Sequence, residues 1–145
     1  MAIVQAVCNS FKKEILEGIH DFENGGDQFK LALYEDTANL SANTTAYPGD
    51  STGSQVGDTG QYVQGGKVLQ SQQTSLDTSV AIVTFANLSF TGVTLTAEGA
   101  LIYNATESDK AVCVLDFGGN KTATSGTFTI QFPAFNSTSA ILRIA

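Results

Sequence analysis

His20 is the only histidine in the chain and the first residue to examine for chemistry. A hydrolytic triad needs an imidazole base beside a Ser or Cys nucleophile and an orienting carboxylate. His20 follows a predicted helix, and the negative end of the helix dipole favours a partly positive side chain there. This position indicates a structural role. A small hydrolase would need His20 or a pair of carboxylates, and we expect that the protein is not an enzyme and has no catalytic residues.

Two cysteines, Cys8 and Cys113, lie far apart in the sequence and do not form a CxxC pair. Cys113 stands in the apolar run 111–115 (AVCVL), which is typical of a cysteine that is a small buried hydrophobic residue. In a reducing compartment disulfides are rare. We therefore expect that both thiols are free.

Carboxylates that could bind a metal occur as one loose group, Asp21, Glu23 and Asp27. Their spacing matches no calcium-loop template, so we expect no metal site. Glycosidase chemistry needs two facing carboxylates, and Asp116 is the candidate because it lies in an apolar strand. A buried aspartate is usually held by structural hydrogen bonds, so this pattern also favours a structural role.

Glycine-rich stretches could cradle a phosphate group. However, Gly53-x-x-x-Gly57 and Gly65-Gly66-Lys67 have neither the spacing of a P-loop nor the helix that follows one. The sequence therefore predicts no cofactor and no cofactor-binding residues.

The elements that would position these residues begin with one amphipathic helix. It is predicted from Ser10 to His20, with Ser10 as the N-cap and with Phe11, Ile15 and Ile19 on one face. Residues 29–34 (FKLALY) alternate as in a half-buried strand.

Residues 35–66 form the least regular segment of the sequence. They carry Glu35, Asp36, Asp50 and Asp58 but no Lys or Arg. Loops longer than ~12–15 residues without secondary structure are uncommon in compact domains and are usually functional, extended or poorly ordered. We interpret residues 35–66 as a long acidic loop or arm, in which residues 62–63 could form a short strand.

From Lys67 onward, short apolar segments recur with turn signals between them. The phase of the alternation slips at Gly92, which predicts a bulge or bend, and residues 118–120 (GGN) predict a turn. The predicted strands are 67–70, 80–85, 88–90, 93–95, 100–103, 111–117, 127–132 and 140–144. We expect the strand at residues 80–85 to be covered on both faces. The pattern predicts a mainly β single domain over residues 1–145, an antiparallel β-sandwich or barrel preceded by an N-terminal segment and helix at 1–28.

The charge of the chain narrows the choice of partners. Its formal net charge is −7, and its seven Lys and Arg residues are scattered rather than gathered in a basic stripe. Nucleic acid and anionic membranes are therefore poor partners. No apolar run approaches the ~20 residues that a membrane span needs. The start of the chain lacks a basic leader, so we expect mature sequence that is made in the cytoplasm.

Eight stretches of the chain resemble, in order, a family of small virion proteins of tailed bacteriophages. These stretches are 9–12 (NSFK), 20–22 (HDF), 29–34 (FKLALY), 65–69 (GGKVL), 100–104 (ALIYN), 111–117 (AVCVLDF), 128–133 (FTIQFP) and 141–145 (ILRIA). The resemblance implies a structural protein on the phage head, similar to capsid decoration or cement proteins, which often form trimers that bridge neighbouring capsomers. The implied partners are the major capsid protein and further copies of this chain, and the implied location is the capsid surface after synthesis in the host cytoplasm.

Two functional hypotheses follow. A decoration protein would be a stable homo-oligomer, with a trimer favoured, whose residues 1–11 or 35–66 become ordered only in the assembly. A tail, neck or fibre-associated adhesin would instead bind host-surface glycan at a site rich in Asn, Asp and Tyr, with Tyr47, Tyr62 and Tyr103 as the candidate residues.

Overall fold

The chain folds into two antiparallel sheets and one short helix, as described by a computed structural model for residues 2–49 and 54–145. The elements are β1 (Ala6–Val7), α1 (Asn9–Leu16), β2 (Phe29–Tyr34), β3 (Lys67–Val68), β4 (Gln73–Asp77), β5 (Val80–Thr84), β6 (Leu88–Asn104), β7 (Lys110–Ile130) and β8 (Leu142–Ile144). One sheet has the order β1-β7-β6-β2-β3 and the other β4-β5-β8. The predicted mainly β, antiparallel class is confirmed, and the described strands form two separate open sheets rather than a closed barrel.

The central hairpin of the large sheet consists of β6 and β7. The predicted segments 88–90, 93–95 and 100–103 belong to one strand, β6, and the predicted bulge is confirmed because the register shifts between Phe90 and Val93. The turn predicted at 118–120 is wrong. Gly118 and Gly119 have positive φ, and residues 117–120 lie opposite Glu98 alone. Two glycines in succession thus produce a bulge within β7 rather than its end.

Helix α1 is shorter than predicted. It ends at Leu16 because Gly18 adopts a left-handed conformation with a φ of 72°, which is a common way to end a helix. The N-cap is Cys8 and makes no side-chain cap, so the prediction of Ser10 as the cap is wrong. The backbone N–H of Cys8 instead donates to the Val112 carbonyl at 3.0 Å, which fixes the start of the helix to β7.

Strand β2 has the predicted bounds, but it is buried along nearly its whole length rather than half-buried. Strand β5 is instead more exposed than predicted. It is the central strand of the small sheet, yet only Ile82 is buried, so the prediction that both faces are covered is wrong. Strand β4 was not predicted because its sequence, QTSLD, has a single large apolar residue.

The acidic segment 35–66 packs against the large sheet in its described part. Ala38, Leu40, Val56 and Tyr62 are buried in the main hydrophobic cluster, and Tyr62 forms only an isolated bridge with Thr59. Asp50 and Gly53 lie outside the described residues. The N-terminal segment also contacts the core, since Ile3 is buried and forms a parallel bridge with Leu40.

One hydrophobic cluster contains side chains from Ile3 to Leu142, so the helix, the loop 35–66 and the large sheet share a core. Within residues 2–49 and 54–145, the helical segments are too short and too polar to cross a membrane.

Candidate interaction surfaces

His20 lies at the centre of a buried polar cluster. Its side chain is 0% exposed, and Nε2 lies 2.9 Å from a Glu14 carboxylate oxygen. Nδ1 lies 3.0 Å from the amide nitrogen of Asn104. Because an amide nitrogen can only donate, Nδ1 accepts, and Nε2 therefore carries the proton that is donated to Glu14. The rings of Phe11, Phe22 and Phe29 surround the imidazole at centroid distances from 4.8 to 6.4 Å.

Asn104 connects this cluster to the turn between β6 and β7. Its amide also donates to Asp27 at 2.8 Å, and its carbonyl accepts from the backbone N–H groups of Thr106 and Glu107. Both ring nitrogens of His20 are thus occupied by structural hydrogen bonds. The imidazole fixes the segment after α1 to the large sheet.

The carboxylates of Asp21 and Asp27 accept hydrogen bonds from backbone N–H groups of their own loop. Asp27 accepts from the backbone N–H of Asp21, and Asp21 accepts from the backbone N–H of Glu23. No group of three or more His, Cys, Asp or Glu side chains among the described residues is placed to hold a metal ion.

Asp116 is exposed, so its expected burial is wrong. Its carboxylate accepts from the backbone N–H of Gly118 at 2.9 Å. Asp116 is exposed because it lies on the outer edge of β7, just after the residues that pair with β1. Its backbone N–H donates to the Gln5 side chain there.

The three candidate glycan-binding tyrosines form an internal network. Tyr62 and Tyr103 are buried, and the rings of Tyr47 and Tyr103 stack at 4.5 Å. Gln55 joins them, because its amide donates to the Tyr47 hydroxyl at 2.8 Å and its carbonyl accepts from the Tyr62 hydroxyl at 3.0 Å. Burial, and then the neighbouring Tyr47, raise the pKa of Tyr103. The network holds the loop on β2, and sequence patterns did not single out Gln55.

Gly65 belongs to the same network rather than to a phosphate site. Its backbone N–H donates to the Gln55 side chain at 2.7 Å, and its carbonyl accepts from the Tyr103 hydroxyl at 2.5 Å. The backbone groups that would contact a phosphate are therefore already bonded within the chain.

Both thiols are free and buried. Burial raises the pKa of Cys8 from 9.0 to about 11, with a further rise from Glu14, and burial also raises the pKa of Cys113. A thiol with a raised pKa reacts slowly, because the thiolate is the nucleophile.

These shifts predict that stability falls at alkaline pH. The Cys8 thiol ionises near pH 9.0 in the unfolded chain and only near pH 11 in the folded chain. Its contribution to the free energy of unfolding is therefore fully present below pH 9 and is lost as the pH rises from 9 to 11. Urea unfolding across this range should show a falling free energy of unfolding. The double variant Cys8→Ala, Cys113→Ala should show a shallower fall, and an identical slope would contradict the assignment.

One open surface follows the outer edge of β7. Strand β1 pairs with β7 only at Cys113 and Val114, and no described strand pairs with that edge after Val114. A groove of about 530 Å³ lies alongside. Its apolar lining includes Leu115, Phe117, Phe128, Phe132 and Ile141. We call this surface the β7 groove.

A second open surface lies between α1 and the small sheet. This groove has a volume of about 690 Å³ and is lined by residues of α1, the segment 20–23, β5 and β8. Leu16, which lines it, is 88% exposed, and Ile144 is 57% exposed. We call this surface the α1–β8 groove.

Sequence patterns gave no sign of either groove, because each is formed by segments that are distant in the chain. Ionisable side chains line both grooves, among them Asp116 and Lys121 in the β7 groove and Lys12, Asp21 and Glu23 in the α1–β8 groove. The walls of both grooves are nevertheless mainly apolar, which is typical of contact surfaces. Comparison of the chain with models of protein families, with curated proteins and with solved structures gave no match.

Proposed function

We propose that this chain is a structural protein of a tailed-bacteriophage virion, and that it decorates the head and stabilises it through contacts with the major capsid protein. The proposal rests on the ordered resemblance along the sequence and on one structural observation, the open edge of β7 beside the β7 groove. A decoration protein acts by contact area, and large permanent interfaces bury ~2,000 Å² or more.

The β7 edge has the properties of a strand that receives a partner. Residues 122–130 contain no charged residue and no proline, which are two of the usual protections of an exposed edge, bulges being a third. Bulges near Gly118 and Ser125 interrupt the strand and divide the free edge into short runs. An extended segment could add to such a run through backbone hydrogen bonds, with its alternate side chains in an adjacent groove.

The outer face of the β6–β7 hairpin adds a hydroxyl-rich surface. Thr96 and Thr122 bond across the strands at 3.0 Å, as do Ser89 and Thr129 at 3.1 Å. Such a ladder keeps the hairpin rigid. A rigid surface loses little conformational entropy when a capsid subunit binds.

The proposal is tested with purified chain added to capsids that lack it, followed by co-sedimentation. Thr127 is exposed and lines the β7 groove, so Thr127→Glu would place an unpaired charge in the contact. We expect it to weaken binding by about tenfold or more, because a desolvated unpaired charge costs several kcal/mol.

The matched control is Thr91→Glu, which makes the same change at an exposed position of β6 outside the groove. It should bind as the unmodified chain does. No binding of the unmodified chain, or equal loss in both variants, would overturn the proposal or its assignment to the β7 groove.

A further inference from the structure

We propose that Asn24 is a site of spontaneous modification, at which attack by the backbone nitrogen of Gly25 converts the side-chain amide to aspartate and isoaspartate. The inference goes beyond the proposed function, because the reaction needs only water and no capsid.

Asn24 is the only asparagine in the chain that glycine follows. Glycine has no Cβ atom to hinder the approach of its nitrogen to the preceding side chain, and its backbone reaches conformations that other residues avoid. Each of the other asparagines precedes a residue that carries a Cβ atom. Ring closure onto the side-chain amide is therefore least hindered at Asn24.

The structure leaves both reacting groups of this pair accessible. Asn24 and Gly25 are exposed at the centre of a turn, which the Gly26 N–H closes by donating to the Glu23 carbonyl at 2.8 Å. Among residues 2–49 and 54–145, no hydrogen bond holds the Asn24 side chain or the Gly25 N–H. Nothing lies within 4 Å of the Cβ position of Gly25, so the turn has open space beside it.

Four other asparagines differ from Asn24 in the state of the nitrogen that would attack. The N–H group of the next residue already donates a hydrogen bond after Asn39, Asn43, Asn104 and Asn136. Such a nitrogen must first lose its bond before it can reach the side chain. Asn24 thus combines the least hindered neighbour with an unbonded nitrogen.

The reaction balances with water as its co-reactant. The Gly25 nitrogen gives up its proton and forms a bond to Asn24 Cγ, while the Cγ–Nδ2 bond breaks and ammonia leaves with that proton. The product is a cyclic imide, a succinimide, which water opens at either carbonyl carbon. Opening at Cγ gives aspartate, and opening at the main-chain carbon gives isoaspartate, whose backbone runs through Cβ and Cγ and is longer by one atom.

The longer backbone of isoaspartate should strain this loop, because both of its ends are held. The buried Gln72 side chain donates to the carbonyls of Glu23 and Asp27 at 2.9 and 2.8 Å, and the Asp27 carboxylate accepts from Asn104. An extra backbone atom between the two ends must displace one of them. Either product also adds one negative charge to a chain whose formal net charge is −7.

Incubation of the purified full chain in mildly alkaline buffer, followed by tryptic digestion and mass spectrometry, tests the inference. Cleavage after Lys13 and Lys30 gives a peptide in which Asn24 is the only asparagine. Its mass should rise by the difference between OH and NH2, with the gain placed at Asn24 by fragmentation, and isoaspartyl methyltransferase should label it. Asn24 should convert at least about tenfold faster than any other asparagine, because its successor alone lacks a Cβ atom.

Two variants and one peptide serve as controls. Gly25→Ala should slow the conversion by about tenfold or more, because it restores the hindering Cβ atom, and Asn24→Gln should remove the label, because glutamine must close a larger ring. The synthetic peptide 14–30 is the unfolded reference, and the folded chain should react at most about tenfold more slowly, because one hydrogen bond closes the turn. An Asn24 that stays unmodified in the folded chain while the peptide converts would overturn the inference, as would an equal rate in Gly25→Ala or at another asparagine.

Urea unfolding tests the expected strain. The isoaspartate fraction, separated by ion exchange, should unfold at a lower urea concentration than the fresh chain. Asn24→Asp adds the same charge without lengthening the backbone, so its midpoint should stay close to that of the fresh chain. An unchanged midpoint in the isoaspartate fraction, or an equal fall in Asn24→Asp, would contradict the strain of the loop.

Discussion

Gly66→Ala should lower the free energy of unfolding by more than about 3 kcal/mol, since it combines a steric clash with backbone strain. A Cβ atom at Gly66 would lie 1.8 Å from the Leu31 carbonyl oxygen and 2.9 Å from the Ala32 Cα atom, and the residue has a φ of 83°. The clashing atoms belong to the backbone of β2, so they cannot move without disturbing the pairing of β2 with β3. Urea unfolding measures the loss.

Gly25→Ala separates the two causes. Gly25 has a similar φ of 88°, but nothing lies within 4 Å of its Cβ position, so the substitution should cost only the left-handed strain of about 1–2 kcal/mol. Equal losses in the two variants would show that the close approach of Gly66 to β2 does not matter.

Asn104→Ala should be the next most damaging change, with a loss of about 3–5 kcal/mol, because several buried polar groups would each lose a partner. His20 Nδ1, the Asp27 carboxylate and the two backbone N–H groups after Asn104 all bond to this side chain. The exposed Asn120 makes one side-chain hydrogen bond, to Asp36.

Asn120→Ala is therefore the control and should cost less than about 0.5 kcal/mol, as exposed substitutions do. In the unmodified chain, nitrogen NMR of the imidazole should show the tautomer protonated at Nε2. A loss in Asn104→Ala no larger than in the control, or a proton on Nδ1 alone, would contradict the assigned network.

The sequence was sufficient for the β class, the bounds of β2 and the bulge at Gly92, because these depend on local alternation of apolar residues. It was insufficient where one signal has two structural outcomes. Two glycines at 118–119 can end a strand or form a bulge. Here they form a bulge, because β7 continues to pair with β6 on both sides of them. Likewise, helix α1 ended early because Gly18 adopts a left-handed conformation, which composition alone does not specify.

The buried clusters and the grooves depend on long-range contacts. His20 was identified from the sequence, but its partner Asn104 is 84 positions away. The tyrosines were also identified, but the residue that joins them, Gln55, has no distinguishing local pattern. The α1–β8 groove requires α1 and β8, which come from opposite ends of the described chain, to lie side by side.

The amount of this chain in purified phage particles tests the central claim most directly. Quantitative protein staining, with the major capsid protein as the internal standard, gives the ratio of the two chains. A head decoration protein should occur at a fixed ratio to the major capsid protein, with its density on the capsid surface in cryo-EM maps. A few copies confined to the tail would contradict the claim and support the adhesin alternative, and absence from the particle would contradict both.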